Sequence, residues 1–287
     1  VSYSDGQTHR VERTYDGAPN GRGRPRYRAT YDPARNNQPV SKTEVESYDS
    51  RGRVSSQKQY FGLNGSWSKP YGVNQEYDPT GKVVLQVYPS GHRANYAYDP
   101  GGRLSSFQGT LGDGVSRVYS DRLRYHPAGP MTHQRLGTAF PLYQNTHYNN
   151  RLQPYDIRLG AEEADEWTWN RGALRIYFTS DLAYGYGGSH DSGTHNNGSV
   201  YRMDHFVPLD DAGSGWAMSI DYYWYDPLNR VLGMAENKIS SADPVEKPVF
   251  TQQYKYDRYG NRTIDGEKTT PGSVVNNKVF QVEEATN

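Results

Sequence analysis

Residues Gln75–Phe107 read QEYDPTGKVVLQVYPSGHRANYAYDPGGRLSSF. One unit occurs in this stretch twice. It runs Tyr77-Asp78-Pro79-Thr80-Gly81-Lys82-Val83 and then, 21 residues later, Tyr98-Asp99-Pro100-Gly101-Gly102-Arg103-Leu104. Each copy predicts strand, tight turn, strand. Asp at the first turn position can accept hydrogen bonds from the backbone ahead of it, Pro pre-sets φ, and Gly at the exit permits φ > 0. Between the two turns Val83, Leu85 and Val87 fall on one strand face, and Tyr96 and Tyr98 on one face of the next. Pro89-Ser90-Gly91 supplies the turn at the other end. The stretch is a ladder of β-hairpins, and neither turn carries a catalytic pattern.

Tyr-Asp occurs eight times, at Tyr15, Tyr31, Tyr48, Tyr77, Tyr98, Tyr155, Tyr225 and Tyr256. Chance would give roughly two, so the pair marks a repeat. The full turn recurs as Tyr48-Asp49-Ser50-Arg51-Gly52-Arg53, Tyr225-Asp226-Pro227-Leu228-Asn229-Arg230 and Tyr256-Asp257-Arg258-Tyr259-Gly260-Asn261, while Tyr15-Asp16 and Tyr31-Asp32 keep only its opening. Asn229 stands where Gly stands elsewhere, and Asn is the next best residue for a left-handed backbone. The structural motif residues are therefore Tyr15-Asp16, Tyr31-Asp32, Tyr48-Asp49, Tyr77-Asp78, Tyr98-Asp99, Tyr225-Asp226 and Tyr256-Asp257, with Gly52, Arg53, Gly81, Gly102, Arg103, Arg230 and Gly260. Asp fixes the turn, and Tyr packs across the strand pair.

The periodic pattern Tyr-Asp-x-x-Gly-Arg resembles the YD repeat of bacterial RHS proteins and the related teneurins. The resemblance runs from about Tyr15 to Arg262, with an interruption in the middle. Asn149-Asn150-Arg151-Leu152-Gln153-Pro154, Tyr184-Gly185-Tyr186 and Asn196-Asn197-Gly198-Ser199-Val200 are similar to linking pieces of bacterial RHS chains. The resemblance implies an all-β array of antiparallel hairpins, forming a spiralling sheet or partial hollow shell. In many bacterial members such a shell encloses a C-terminal toxin.

Composition bounds the reading independently. Only 34% of the 287 residues are hydrophobic, yet 26 are Tyr, and mean hydropathy is −0.96. Disordered chains are poor in aromatics, so extensive sheet with little aliphatic core is the expectation. Tyr suits that sheet because its ring packs on a pleated surface while its hydroxyl stays wet. Basic and acidic residues number 32 each, which lacks the basic footprint of a nucleic-acid binder. There is no Cys, hence no disulfide, thiol chemistry or CxxC metal site. No run of about 18 apolar residues predicts a membrane-spanning helix. The chain opens at Val1 and reads as a fragment of a larger protein.

The whole of 1–287 reads as one continuous repeat region. Regular repeats fill 1–120, an irregular insert with long loops fills 121–220, and 221–287 returns to repeats and a terminal strand at Ser273–Val282. Gly17–Arg28 is expected to be a solvated loop. Tyr125-His126-Pro127-Ala128-Gly129-Pro130 reads as a decayed copy with His for Asp. Ala161–Trp169 holds an acidic run, as a short helix or exposed loop before a strand near Leu174–Phe178. His190 and His195 flank Asp191 in a Gly-rich loop, but their spacing fits no standard metal motif. Leu209-Asp210-Asp211-Ala212-Gly213 lacks the alternating ligands of a calcium loop. No nucleophile elbow, phosphate loop or dinucleotide fingerprint is present. Asn64, Asn197 and Asn261 begin formal glycosylation sequons. Of the aromatics outside the motif, Trp67, Trp167, Trp169, Trp216 and Trp224 are the ones placed to meet a ligand, and packing is the plainer role for each.

Two functions follow, neither enzymatic and neither needing a cofactor or metal. One is a segment of an encapsulating β-shell in a secreted or cell-surface toxin-delivery protein, its partners an enclosed toxin polypeptide or neighbouring RHS segments. The other is an extracellular adhesive or filament-forming protein that self-associates through edge strands, with Ser273–Val282 as donor, and contacts glycans through surface aromatics.

Overall fold

In the computed structural model of the chain, residues 1–163, 167, 169–178, 196–210 and 215–271 are described. They contain nineteen β-strands and, as their one helical element, a single turn of 3-10 helix at Pro33–Arg35. The chain divides into two compact units, Val1–Arg122 and Leu123–Asn287.

The first unit carries β1 (Arg10–Tyr15), β2 (Pro25–Asp32), β3 (Gln38–Tyr48), β4 (Val54–Leu63), β5 (Ser66–Trp67), β6 (Tyr71–Tyr77), β7 (Val83–Val87), β8 (Arg93–Tyr98) and β9 (Leu104–Gly109), and β10 (Arg117–Tyr125) begins in it. Each strand pairs antiparallel with its sequence neighbour, except around β5. That short strand folds back on β4 through Asn64-Gly65, so that β6 also takes β4 as its partner. The second unit continues with β11 (Met131–Leu136), β12 (Leu142–Tyr148), β13 (Pro154–Gly160), β14 (Gly172–Tyr177), β15 (Arg202–Pro208), β16 (Trp216–Tyr225), β17 (Val231–Ser240), β18 (Lys247–Tyr256) and β19 (Arg262–Ile264). From β11 onward every consecutive pair is antiparallel. The fold class is thus all-β, an array of antiparallel hairpins, and the expected strand near Leu174–Phe178 is β14.

Regular bulges interrupt the ladders. The register shifts immediately before Tyr48, Tyr77, Tyr98, Tyr148 and Tyr225, where one residue of the returning strand is passed over. Tyr98, for example, pairs with Leu104 while Ala97 pairs with Ser106. A bulge turns the strand locally and re-aims the side chain beside it. Here that side chain is the motif tyrosine.

Little of either unit is aliphatic core. In the first, Ala18, Val45 and Tyr48 form the buried cluster. Elsewhere in it rings pack along the sheet, with Tyr96 stacked 5.1 Å from Phe107 and Phe107 tilted against Tyr119 at 5.0 Å. In the second, Phe206, Met218 and Ile220 are buried among Trp169, Trp216 and Tyr222. Charged groups fill the place of further aliphatics. Asp156 is buried between Arg158 and Arg175, at 2.7 and 3.0 Å, and fully buried Asp204 pairs with Arg202 and accepts from the Tyr177 hydroxyl. Both carboxylates meet partners on their own or the adjacent strand, which a buried charge requires.

The terminal strand expected at Ser273–Val282, the His190/His195 loop, Tyr184–Tyr186 and Asp211–Gly213 lie outside the described residues.

Candidate functional site

The element that recurs is the turn itself. In Asp49-Ser50-Arg51-Gly52-Arg53 the Asp49 amide donates to the Arg53 carbonyl (2.8 Å), and the Gly52 amide donates back to the Asp49 carbonyl (2.9 Å). The Asp49 carboxylate then takes up the rest of the turn. Oδ1 accepts the amides of Arg51 and Arg53, both at 2.9 Å, and Oδ2 accepts Arg53 Nε at 2.6 Å. Asp226 repeats this with Leu228, Arg230 and the Arg230 guanidinium. Asp99 does so with the amide and guanidinium of Arg103. At Asp78 the amides of Thr80, Gly81 and Lys82 converge on Oδ1. At Asp257 the side-chain amide of Asn261 replaces the guanidinium, 2.7 Å from Oδ2.

These donors favour the ionised carboxylate and hold the aspartates below their ordinary pKa. The largest cause is the Arg53, Arg103 or Arg230 backbone amide at Asp49, Asp99 and Asp226. At Asp78 it is the Thr80 hydroxyl, and at Asp257 the Asn261 side chain. The fourth turn position is left-handed throughout: φ is 77° at Gly52, 104° at Gly81, 78° at Gly102, 90° at Gly260 and 59° at Asn229.

Successive turns are joined by the tyrosine. Tyr77, Tyr98 and Tyr256 donate their hydroxyls to the carbonyl of the residue that opens the returning strand of an earlier hairpin, and Tyr225 donates to Val200, just before β15. The pairs are Tyr77 to Val54 (2.8 Å), Tyr98 to Val83 (2.8 Å), Tyr225 to Val200 (2.7 Å) and Tyr256 to Val231 (2.7 Å). In three of these pairs the residue just before that carbonyl is basic and lies over the same ring. Arg53 sits 4.4 Å from the Tyr77 centroid, Lys82 5.4 Å from Tyr98 and Arg230 4.2 Å from Tyr256. Arg53 also donates to the Asp78 carbonyl at 3.1 Å. Asp of one turn thus orients a cation, and the cation and its neighbouring carbonyl hold the Tyr of the next.

Three positions extend the element beyond the expected copies. Arg24-Pro25 closes the Tyr15-Asp16 turn, for the Asp16 amide donates to the Arg24 carbonyl, eight residues on rather than four. Arg24 lies over Tyr48, whose hydroxyl donates to the Pro25 carbonyl at 2.6 Å. Gly17–Arg24 is thus the expected largely exposed hairpin loop, built as a YD turn with a four-residue insertion and tied down by buried Ala18, while Pro25–Arg28 belong to β2. Tyr148-Asn149 forms the same turn with Asn for Asp: Asn149 Oδ1 accepts the amides of Arg151 and Gln153, both at 3.0 Å, and Tyr148 reaches the Met131 carbonyl. Asn196 joins this turn through Gln153 Oε1 (2.7 Å), and Asn197 joins the Asp226 turn through Asn229 (3.0 Å).

Other copies differ. Asp32 caps the 3-10 turn through the Ala34 amide, at 3.0 Å. His126 accepts the Ala128 amide on Nδ1 at 3.1 Å. Tyr155-Asp156 is not a turn, because Tyr155 is the residue passed over at the Tyr148 bulge and Asp156 lies inside β13. Of the acidic run, Glu163 pairs with Arg124 at 3.1 Å and Trp167 stacks on His147. Among the described residues no group of three or more His, Asp or Glu is placed to hold a metal ion, and no helix is long and apolar enough to cross a membrane.

No family model matches the sequence, and no curated protein does. Solved structures do match in fold. The crystal structure of TcdB2-TccC3-Cdc42 superposes over 89% of this chain with a TM-score of 0.58 at 16% identity. That of TcdB2-TccC3 does so over 90%, with a TM-score of 0.57 and 16% identity. The Photorhabdus luminescens Tc holotoxin pore matches over 90%, with a TM-score of 0.50 and 14% identity. This chain spans 14% of the first two chains and 15% of the third. The likeness is one of fold: an RHS-like array of antiparallel hairpins.

Proposed function

We propose that the chain is a non-enzymatic wall segment of an encapsulating β-shell, part of a secreted or cell-surface toxin-delivery protein. The observation that carries the reading is the fold shared, over nine-tenths of this chain, with a small part of the much longer TcdB2-TccC3 chains. The architecture supports it. The turns at Tyr48, Tyr77, Tyr98, Tyr148, Tyr225 and Tyr256 are fastened to an earlier segment through the Tyr hydroxyl and a backbone carbonyl, in most of them with a basic side chain over the ring, so the array can be lengthened hairpin by hairpin without a thick core. Such a sheet spends its chemistry on holding its own rows together. Its partners on this reading are an enclosed toxin polypeptide and neighbouring RHS segments.

Electron microscopy of the native particle, diluted and gently extracted, tests the proposal, with mass spectrometry of whatever co-purifies. Discrete hollow particles with internal density are the expected result. Long regular filaments, or solid particles without a second polypeptide, would overturn it.

A further inference from the structure

The second unit carries an exposed ring and an apolar groove at the same margin of its sheet. Every strand from β11 to β18 is antiparallel to the next. The loops after β11, β13, β15 and β17 therefore emerge at one margin and the YD turns at the other. The loop after β11 reads Gly137-Thr138-Ala139-Phe140-Pro141, with no charge, and Phe140 is 93% exposed. The groove, of about 390 Å³, lies where β15, β16 and β17 reach that margin. Its shape follows from the register. Val207 stands opposite Ala217 and Ala217 opposite Ser240, while His205 stands opposite Ser219 and Ser219 opposite Lys238. Direct partners share a sheet face, so small Ala217 and Ser219 on the central strand leave a trough between Val207 and Lys238. Val245, from the loop after β17, and Lys247 wall its far side. Val207 and Val245 are both exposed.

The lining suits a ring. Val207, Ala217 and Val245 offer apolar contact, and Lys238 and Lys247, directly paired across β17 and β18, offer two ammonium groups to a π face. Each cation already has a carboxylate: Glu236 lies 3.5 Å from Lys238, Asp243 pairs with Lys247, and Asp221 lies 3.1 Å from His205. A charged ligand therefore gains no net attraction, whereas a neutral aromatic gains burial. The spacing fits a second copy of this chain. From β12 to β16 is four strand spacings, roughly 20 Å along the margin. A two-fold axis midway passes beside β14, next to the loop that presents exposed Trp167. Rotation about it carries Phe140 of each copy to the groove of the other, and the contact closes at two copies. We propose that the chain forms a two-fold dimer through this margin, with Phe140 of each copy seated against Val207, Ala217 and Val245 of the other. The inference does not depend on the wall reading.

Sedimentation velocity of the full chain tests this. The mass is expected to rise with concentration from 32.5 kDa to twice that value and to stop there. Phe140→Asp changes a side chain that lies in solvent, and it should weaken association about tenfold or more. Val245→Asp, on the groove side, should do the same. Circular dichroism checks the fold of each variant. If Val245→Asp does not fold, Ala217→Phe, which fills the groove, takes its place. A mixture of the ring variant and the groove variant has one intact ring and groove in each heterodimer, so it should associate more tightly than either variant alone. The proposal is overturned if the parent stays monomeric up to its solubility limit, or if its mass climbs past the dimer. It is equally overturned if folded Phe140→Asp associates as the parent does, or if the mixture associates no better than its components.

Discussion

One carboxylate organises five residues of chain. Asp226 Oδ1 accepts the amides of Leu228 and Arg230 while Oδ2 fixes the guanidinium, so Asp226→Ala removes three acceptor contacts at once. Faster hydrogen exchange at the Leu228 and Arg230 amides is expected, with the rest of β17 little changed. Asp226→Asn should lie between the two, because Asn149 already holds the same pair of amides through an amide oxygen. Acid should do the same to the whole row. The folded pKa of Asp49, Asp78, Asp99, Asp226 and Asp257 lies below the ordinary value. The unfolded chain therefore takes up protons first, and the stabilisation is fully present above roughly pH 4. It is lost as pH falls through the depressed values. Amide exchange at the turns, followed from pH 6 downward, should stay slow to about pH 4 and accelerate below it relative to strand-centre amides. Uniform acceleration of turn and centre would contradict this assignment.

At the scale of the hairpin, the glycine is fixed by two demands. Gly102 has φ 78° and an added Cβ would lie 2.7 Å from Lys82 Nζ, while at Gly52 it would collide with Arg24. Gly102→Ala should therefore cost about 1–2 kcal/mol from the left-handed backbone alone, and more where Lys82 must leave Tyr98. Asn229→Gly should be close to neutral, and urea unfolding of the two variants measures the contrast. Tyr98→Phe deletes the bond to the Val83 carbonyl and should cost on the order of 1 kcal/mol. Most of this element was legible, since Asp, Pro and Gly in fixed order state a turn outright. Tyr148-Asn149 was harder, because Leu152 occupies the left-handed position with φ 59° and Gln153 stands for the basic residue. Tyr155-Asp156 shows the converse. The dipeptide is right, but Ile157-Arg158-Leu159 follows it with no Gly to leave the turn.

Across the whole molecule, the antiparallel all-β class followed from repeat and composition, while the strands of 121–220 were obscured by their means of burial. Asp156, Arg158 and Arg175 make β13 and β14 read as polar, although the side chain of Asp156 is only 3% exposed. That trio yields a prediction about how stability is distributed. Asp156→Ala takes away the carboxylate that pairs with buried Arg158 and half-buried Arg175, and breaking a buried pair costs about 3–5 kcal/mol. In a compact globule a loss of that size lowers protection everywhere. An array whose strands pair chiefly with their sequence neighbours behaves more like a chain of nearest-neighbour terms. Asp156→Ala should accordingly speed exchange in β13, β14 and β15 while amides of β6, β7 and β8 keep their parent rates. If protection falls equally in both sets, the array unfolds as one body, and the turn-to-turn contacts then carry coupling well beyond the adjacent hairpin.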